Sequence, residues 1–129
     1  MLFIQRAWEV LLKGNYMYLY FIVNRESKFF KIGKTKDLPN RLNQIQNATG
    51  CDISLIAHAI GDKKLIESAE LMCLALFGKN RTHGEWAKFT NPVNITEPIK
   101  SVFKMLEENG CEISFDVEPL FYLFPLNKG

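Results

Sequence analysis

From Tyr16 to Val23 the chain runs through eight apolar or aromatic residues. A polar turn (Asn24, Arg25, Glu26, Ser27) and Lys28 follow, and the chain then runs through Phe29 to Ile32, apolar except for Lys31. Runs this short, rich in aromatic and β-branched side chains and split by a polar turn, specify a β-hairpin. The second strand closes at Gly33. Everything else in the chain has to be arranged around that hairpin.

The flanking segments read mainly as helices. Residues 2–13 carry Phe3, Trp8, Val10, Leu11 and Leu12 on broad apolar faces and stop at Gly14-Asn15. Asp37 caps a helix in which Leu38, Leu42, Ile45 and Ala48 recur at helical spacing. Pro39 is tolerated in its first turn and Gly50 ends it. Ile53 to Ile60 reads as a third strand, broken at Gly61-Asp62. Residues 63–77 form a helix that is apolar nearly all round, which predicts that it is sandwiched rather than laid on a surface. Gly84 to Phe89 alternates as a short strand. A helix over 96–109, with Pro98 in its first turn, stops at Asn109-Gly110, and Ile113 to Val117 forms a last strand. The apolar tail Phe121–Leu126 must dock on its own domain or on a second copy, so a homo-oligomer is one expectation.

These segments make one domain over residues 1–129: an N-terminal helix (1–15), a core (16–90) and a C-terminal extension (91–129). The fold class is α+β, with a small central antiparallel sheet of about three strands flanked by helices.

No apolar run approaches the roughly 20 residues that cross a bilayer, and the N-terminus lacks the pattern of an export signal. Cys51, Cys73 and Cys111 are too far apart for a zinc knuckle or a redox pair. An intracellular, cytoplasmic protein with free thiols is expected. The net charge of +2 is uninformative; its distribution is not. Six basic residues lie between Arg25 and Arg41 (Arg25, Lys28, Lys31, Lys34, Lys36, Arg41) against Glu26 and Asp37, whereas five acids and one lysine follow Met105. A basic first half with an acidic tail suits a polyanion site at one end of the molecule.

Four residues have the chemistry to hydrolyse a phosphodiester. Tyr20 and Lys31 sit on paired strands, where a phenol and an amine can share a face. The phenol can orient a water; the amine can act as a base when neutral or clamp a phosphate when charged. Arg41 carries a guanidinium fork that matches phosphate oxygens. Glu70 lies in line with Ile66, Cys73 and Phe77, and every residue from Leu71 to Phe77 is apolar. An uncompensated carboxylate there would cost several kcal/mol, so a cation is expected beside it. Magnesium or manganese, completed by waters and the scissile phosphate, meets that need. Each residue also has a plainer reading: packing for Tyr20, an exposed edge charge for Lys31, a solvated helix residue for Arg41. Glu67 reads as a solvated or dipole-favoured acid, His58 as a packing or surface histidine, and Trp86 as core.

The order Tyr18-Leu19-Tyr20, then Lys31-Ile32-Gly33-Lys34-Thr35, then Arg41 and Glu70, resembles the GIY-YIG nuclease superfamily. The likeness is strongest to the branch common in bacterial viruses and large DNA viruses, with Gly84-Glu85-Trp86 as a further matching element. It covers roughly residues 17–89. The resemblance implies a metal-dependent endonuclease acting on DNA, with Tyr20, Lys31, Arg41 and Glu70 as its catalytic residues and Glu70 as its metal ligand. Tyr18, Lys34, Lys36, Arg41, Arg81 and His83 are the expected nucleic-acid contacts. Tyr18 stands where the family has the glycine that opens the first motif, and Lys31 stands where it has the tyrosine of the second. Two readings stand beside the enzyme: a non-catalytic nucleic-acid-binding module of the same fold, and an oligomerising regulatory protein.

Overall fold

Strand β1 (Tyr16–Asn24) and strand β2 (Phe29–Thr35) pair antiparallel as the expected hairpin, with Tyr18 opposite Thr35, Tyr20 opposite Gly33 and Ile22 opposite Lys31. The computed structural model describes residues 14–78, 81–83, 86–88 and 93–116, with backbone alone at residues 81–83 and 93. The helix expected over 2–13, the apolar tail, Asn80, Gly84 and Glu85 lie outside those residues. Asn24 organises the turn. Its side-chain oxygen accepts from the N–H groups of Glu26 at 3.0 Å and Ser27 at 3.2 Å, and its carbonyl accepts from Lys28 N–H at 2.8 Å. Lys28 adopts φ +64°, a left-handed conformation that costs a non-glycine residue about 1 kcal/mol.

Helix α1 (Leu38–Thr49) follows the hairpin, then strand β3 (Ile53–Asp62) and helix α2 (Lys63–Phe77). Two short strands, β4 (Arg81–His83) and β5 (Trp86–Lys88), precede helix α3 (Val93–Glu108) and strand β6 (Glu112–Phe115). All pairings are antiparallel and the sheet runs β4-β5-β2-β1-β3-β6. The α+β class and the flanking helices are as expected, but the sheet has six strands rather than three. Five of the six match runs read from the sequence and join the one sheet; β4, three residues long, carries too little periodicity to be counted from sequence.

Asp37 caps α1, accepting from Asn40 N–H at 3.2 Å, and Gly50 closes it at φ +67°. Asp62 ends β3 and at once caps α2, accepting from Lys64 N–H at 3.1 Å and Leu65 N–H at 3.4 Å. The expected break at Gly61-Asp62 is therefore a direct passage from strand to helix. Gly61 is needed there, because a Cβ would overlap the Cys111 thiol.

The sheet divides two cores. Leu19, Phe21, Val23, Phe30 and Ile32 face α2 and α3, meeting Ile66, Ala69, Cys73, Ile99 and Phe103. Tyr20 and Ile22 face the other way, toward Leu38 and Ile45 of α1. Alternation along the strands produces this partition. It is interrupted where the β1–β3 register shifts at Phe21/Ile22, and there Ile56 and Ala57 both join the larger core.

Two expectations need correction. Helix α2 is not sandwiched: Ile66, Ala69, Glu70, Cys73 and Phe77 are buried, while Leu71, Met72 and Leu76 are 67%, 49% and 48% exposed. Its composition is apolar all round, but only one face finds a partner among the described residues. Pro98 is not in the first turn of its helix, because α3 starts at Val93 and places the proline inside it. The missing N–H leaves the carbonyl of Asn94 without its helical donor, and Asn94 is exposed, so water can serve it. No helix among the described residues is long and apolar enough to cross a membrane.

Candidate active site

Three of the four residues with hydrolytic chemistry lie on the α1 side of the sheet. Tyr20 is 1% exposed, and its phenol crosses strand β2 over Gly33, where a Cβ would collide with Oη, Cζ and Cε2. The glycine of the Lys31-Ile32-Gly33 motif is thus a space requirement of the tyrosine opposite. Arg41, the fourth residue of α1, donates from Nε to Tyr20 Oη at 3.4 Å and from Nη1 to Gln44 Oε1 at 3.4 Å. The α1 cap sets this reach, since the turn fixed by Asp37 carries Arg41 back over the hairpin.

Lys31 shares that face two residues along β2. It stands opposite Trp86 in the β2–β5 register, with Nζ 5.7 Å from the centroid of the indole ring. That is a cation–π arrangement. Lys31, Arg41, Gln44, Ile45, Ala48, Thr49 and Trp86 line a cleft of about 290 Å³. Two cations, one indole face and an apolar floor are an arrangement that can take a phosphate together with a base. Trp86, read from the sequence as core, is half-buried and packs against the smaller core while also lining the cleft. Its place opposite Lys31 depends on strand register, which composition does not show.

Glu70 belongs to the other side. Lys34 alternates away from Lys31, opposite the core residue Leu19, and points toward α2. Its Nζ lies 3.2 Å from Glu67 Oε2 and 3.7 Å from Glu70 Oε1. Glu70 is 8% exposed, so the cation expected beside it is supplied at least in part by the protein itself. The hydrogen bond to Glu67 raises the Lys34 ammonium above its ordinary pKa; burial opposes it, and the charge of Glu70 adds a lesser upward push. Glu67, read from the sequence as a solvated acid, is a partner in this cluster. The signal for it was its spacing of three from Glu70, which puts both on one helical face.

The four residues are therefore divided: Tyr20, Arg41 and Lys31 form one group, and Glu70 falls with Glu67 and Lys34 on the opposite side of β2. The motif residues Lys31 to Lys34 join them. Among the expected nucleic-acid contacts, Tyr18 is half-buried on the Tyr20 face. Lys36 is exposed and donates to Gly14 O at 3.5 Å. Arg81 and His83 are the ends of β4, with their side chains outside the described atoms.

His58 was not expected here. It pairs with Tyr20 across β1–β3, and its ring lies 6.4 Å from that of Tyr18. Burial lowers its pKa, favouring the neutral imidazole. The thiols are not part of either group. Burial, helped by the charge of Glu70, pushes Cys73 up to about 12, and burial with Asp62 pushes Cys111 up to about 11.

A cleft lined by two cations and an indole beside a hairpin-centred antiparallel sheet, with a buried acid on the helix behind it, marks a small α+β domain. The chain belongs to the T5orf172 domain family, which matches residues 15–107. The comparisons with curated proteins and with solved structures gave no match.

Proposed function

We propose that this chain is a metal-dependent endonuclease domain of the GIY-YIG type that hydrolyses phosphodiester bonds of DNA. The observation that carries the reading is the contact of Arg41 with Tyr20 beside a cleft shared with Lys31. It is joined to membership of a phage-associated family linked with nuclease folds. Neither packing nor solubility calls for a guanidinium that contacts a buried phenol and shares a cleft with an ammonium.

Arg41 binds the phosphate oxygens and stabilises the charge that builds on them as the bond breaks. Tyr20, held by Arg41, orients the attacking water. Lys31, over the Trp86 ring, clamps the phosphate as a cation. Glu70, nearly buried on α2 and 3.7 Å from the Lys34 ammonium, is the residue that would hold a hard cation. No group of three or more His, Cys, Asp or Glu side chains among the described residues could hold an ion. A site of one or two carboxylates completed by water and substrate phosphate is the kind magnesium takes. When bound, magnesium or manganese would neutralise phosphate charge as a Lewis acid. Lys34 and Lys36 extend the basic surface along the DNA, and Arg81 and His83 are assigned as further contacts from the sequence alone.

The test is nicking of a supercoiled plasmid with magnesium or manganese against chelator, using wild type, Arg41→Ala and Glu70→Gln. Cleavage should fall by about 10²-fold or more in either variant, with the fold retained. Full cleavage by Glu70→Gln would remove Glu70 from the chemistry. Salt-sensitive binding without any cleavage would instead establish a binding module of the same fold.

A further inference from the structure

The two faces of the sheet carry different kinds of ring. The core between the sheet and helices α2 and α3 is built with phenylalanine, and Phe21, Phe30, Phe77 and Phe103 are fully buried there. The opposite face carries rings with a polar atom: Tyr16, Tyr18 and Tyr20 on β1, His58 opposite Tyr20 on β3, and Trp86 on β5. Of these only Tyr20 is fully buried; the other four are half-buried. An apolar body with a polar tip suits a surface that stays partly wet.

Three of the rings form a cluster beyond Tyr20. Tyr18 meets His58 with centroids 6.4 Å apart and planes tilted by 55°, and meets Tyr16 edge-on at 6.2 Å and 84°. Tyr18 also packs against the smaller core, which holds its ring in place while part of it stays accessible. Burial favours the neutral imidazole of His58, a ring that stacks without bringing a charge into the contact. The cluster is continuous with the candidate site, because Tyr18 is two residues from Tyr20 on the same face of β1 and Tyr20 receives the Arg41 contact. Thr35 stands opposite Tyr18, and the exposed Lys36 follows it. At the far edge of this face the exposed Glu112 stands opposite Ile60, so a polyanion is repelled from β6 and drawn toward Arg41 and Lys36.

We propose that Tyr18 and His58 form a stacking platform for an unpaired nucleobase beside the phosphate that Arg41 binds. The inference rests on the nuclease reading for the phosphate site. Its own content is that DNA reaches that site single-stranded. Within a duplex each base is covered on both faces by its neighbours, so a protein ring stacks only on a base that has left the helix or was never in one. Every base has a π-face, so the platform holds its strand with little regard to sequence. Arg41 supplies the phosphate contact and the rings supply the base contact, and together they select an unstacked nucleotide.

Fluorescence anisotropy of the full chain with a short labelled oligothymidine, in chelator so that nothing is cut, tests the platform. Wild type should bind this strand more tightly than a duplex of the same length at the same salt. Tyr18→Ala should weaken single-strand binding by about tenfold, the loss of one base–ring stack, and His58→Ala by about threefold. Tyr18→Phe keeps the ring and should stay within about twofold of wild type. An oligomer of abasic residues keeps the phosphates and lacks the bases. Wild type should bind it about tenfold more weakly than oligothymidine, and Tyr18→Ala should lower that affinity no further. The abasic comparison uses wild type alone, so it decides the matter even where Tyr18→Ala does not fold. Equal affinity for abasic and thymidine strands, tighter binding to the duplex, or full single-strand affinity in Tyr18→Ala would overturn the platform; weakened binding by Arg41→Ala in the same assay would leave the phosphate site standing. The expected ring and abasic effects in a protein that nicks no plasmid would overturn the nuclease reading and leave the platform.

Discussion

Replacing Gly33 by alanine tests the centre of the proposed site with one methyl group. The added Cβ would overlap Oη, Cζ and Cε2 of Tyr20. Tyr20 is 1% exposed and shares its core with Ile22, Leu38 and Ile45, so the ring has no open direction in which to tilt. Overpacking of this kind costs about 1–3 kcal/mol. For a chain of this size about 2 kcal/mol corresponds to roughly 6–12 °C in melting temperature. Thermal unfolding followed by circular dichroism measures it. Gly78→Ala is the control: that residue is right-handed helical with nothing within 4 Å of an added Cβ, so the exchange should be neutral or slightly stabilising. Adding Tyr20→Leu to Gly33→Ala should cost less than the sum of the two changes, because the shortened side chain vacates the contested space. The same shift of the phenol breaks the Arg41 Nε contact, so plasmid nicking should fall along with stability. A Gly33→Ala protein that melts at the wild-type temperature and cuts at the wild-type rate would refute the placement of Tyr20 over Gly33.

Lys31→Arg keeps a cation above Trp86 and should retain much of the cleavage rate, whereas Lys31→Met should lose most of it; near-complete loss in the arginine variant would mean that Lys31 moves a proton rather than clamping phosphate. Iodoacetamide near pH 8 should modify Cys51 well ahead of Cys73 and Cys111, both buried and with thiols pushed up to about 12 and about 11. The raised thiols also work against the fold in alkali. The unfolded chain releases these protons first, so stability should decline as pH rises from the ordinary thiol range toward 11–12, and a flat urea midpoint across that interval would contradict it.

Much of this protein was legible in the chain because local chemistry decides it. The hairpin follows from strand-forming runs around a polar turn. Helix α1 follows from an Asp37 cap, spaced leucine and isoleucine, and a closing glycine, and the bounds of α2 were read correctly from its pattern. The need for a cation beside Glu70 also follows from sequence, since a carboxylate in an apolar run demands one.

Partners across the sheet were another matter. Strand register decides that Tyr20 stands opposite both Gly33 and His58 and that Lys31 meets Trp86, and register is a property of two segments together. The cation beside Glu70 turned out to include Lys34, thirty-six positions earlier in the chain, because alternation along β2 turns that lysine toward α2 while Lys31 faces α1. The exposure of Leu71, Met72 and Leu76 was likewise invisible, since composition states what a helix could bury and only packing states which face found a neighbour. Local sequence determined which elements form and which residue types they carry; the pairing of strands and the side of the sheet each helix covers decided which of those residues meet.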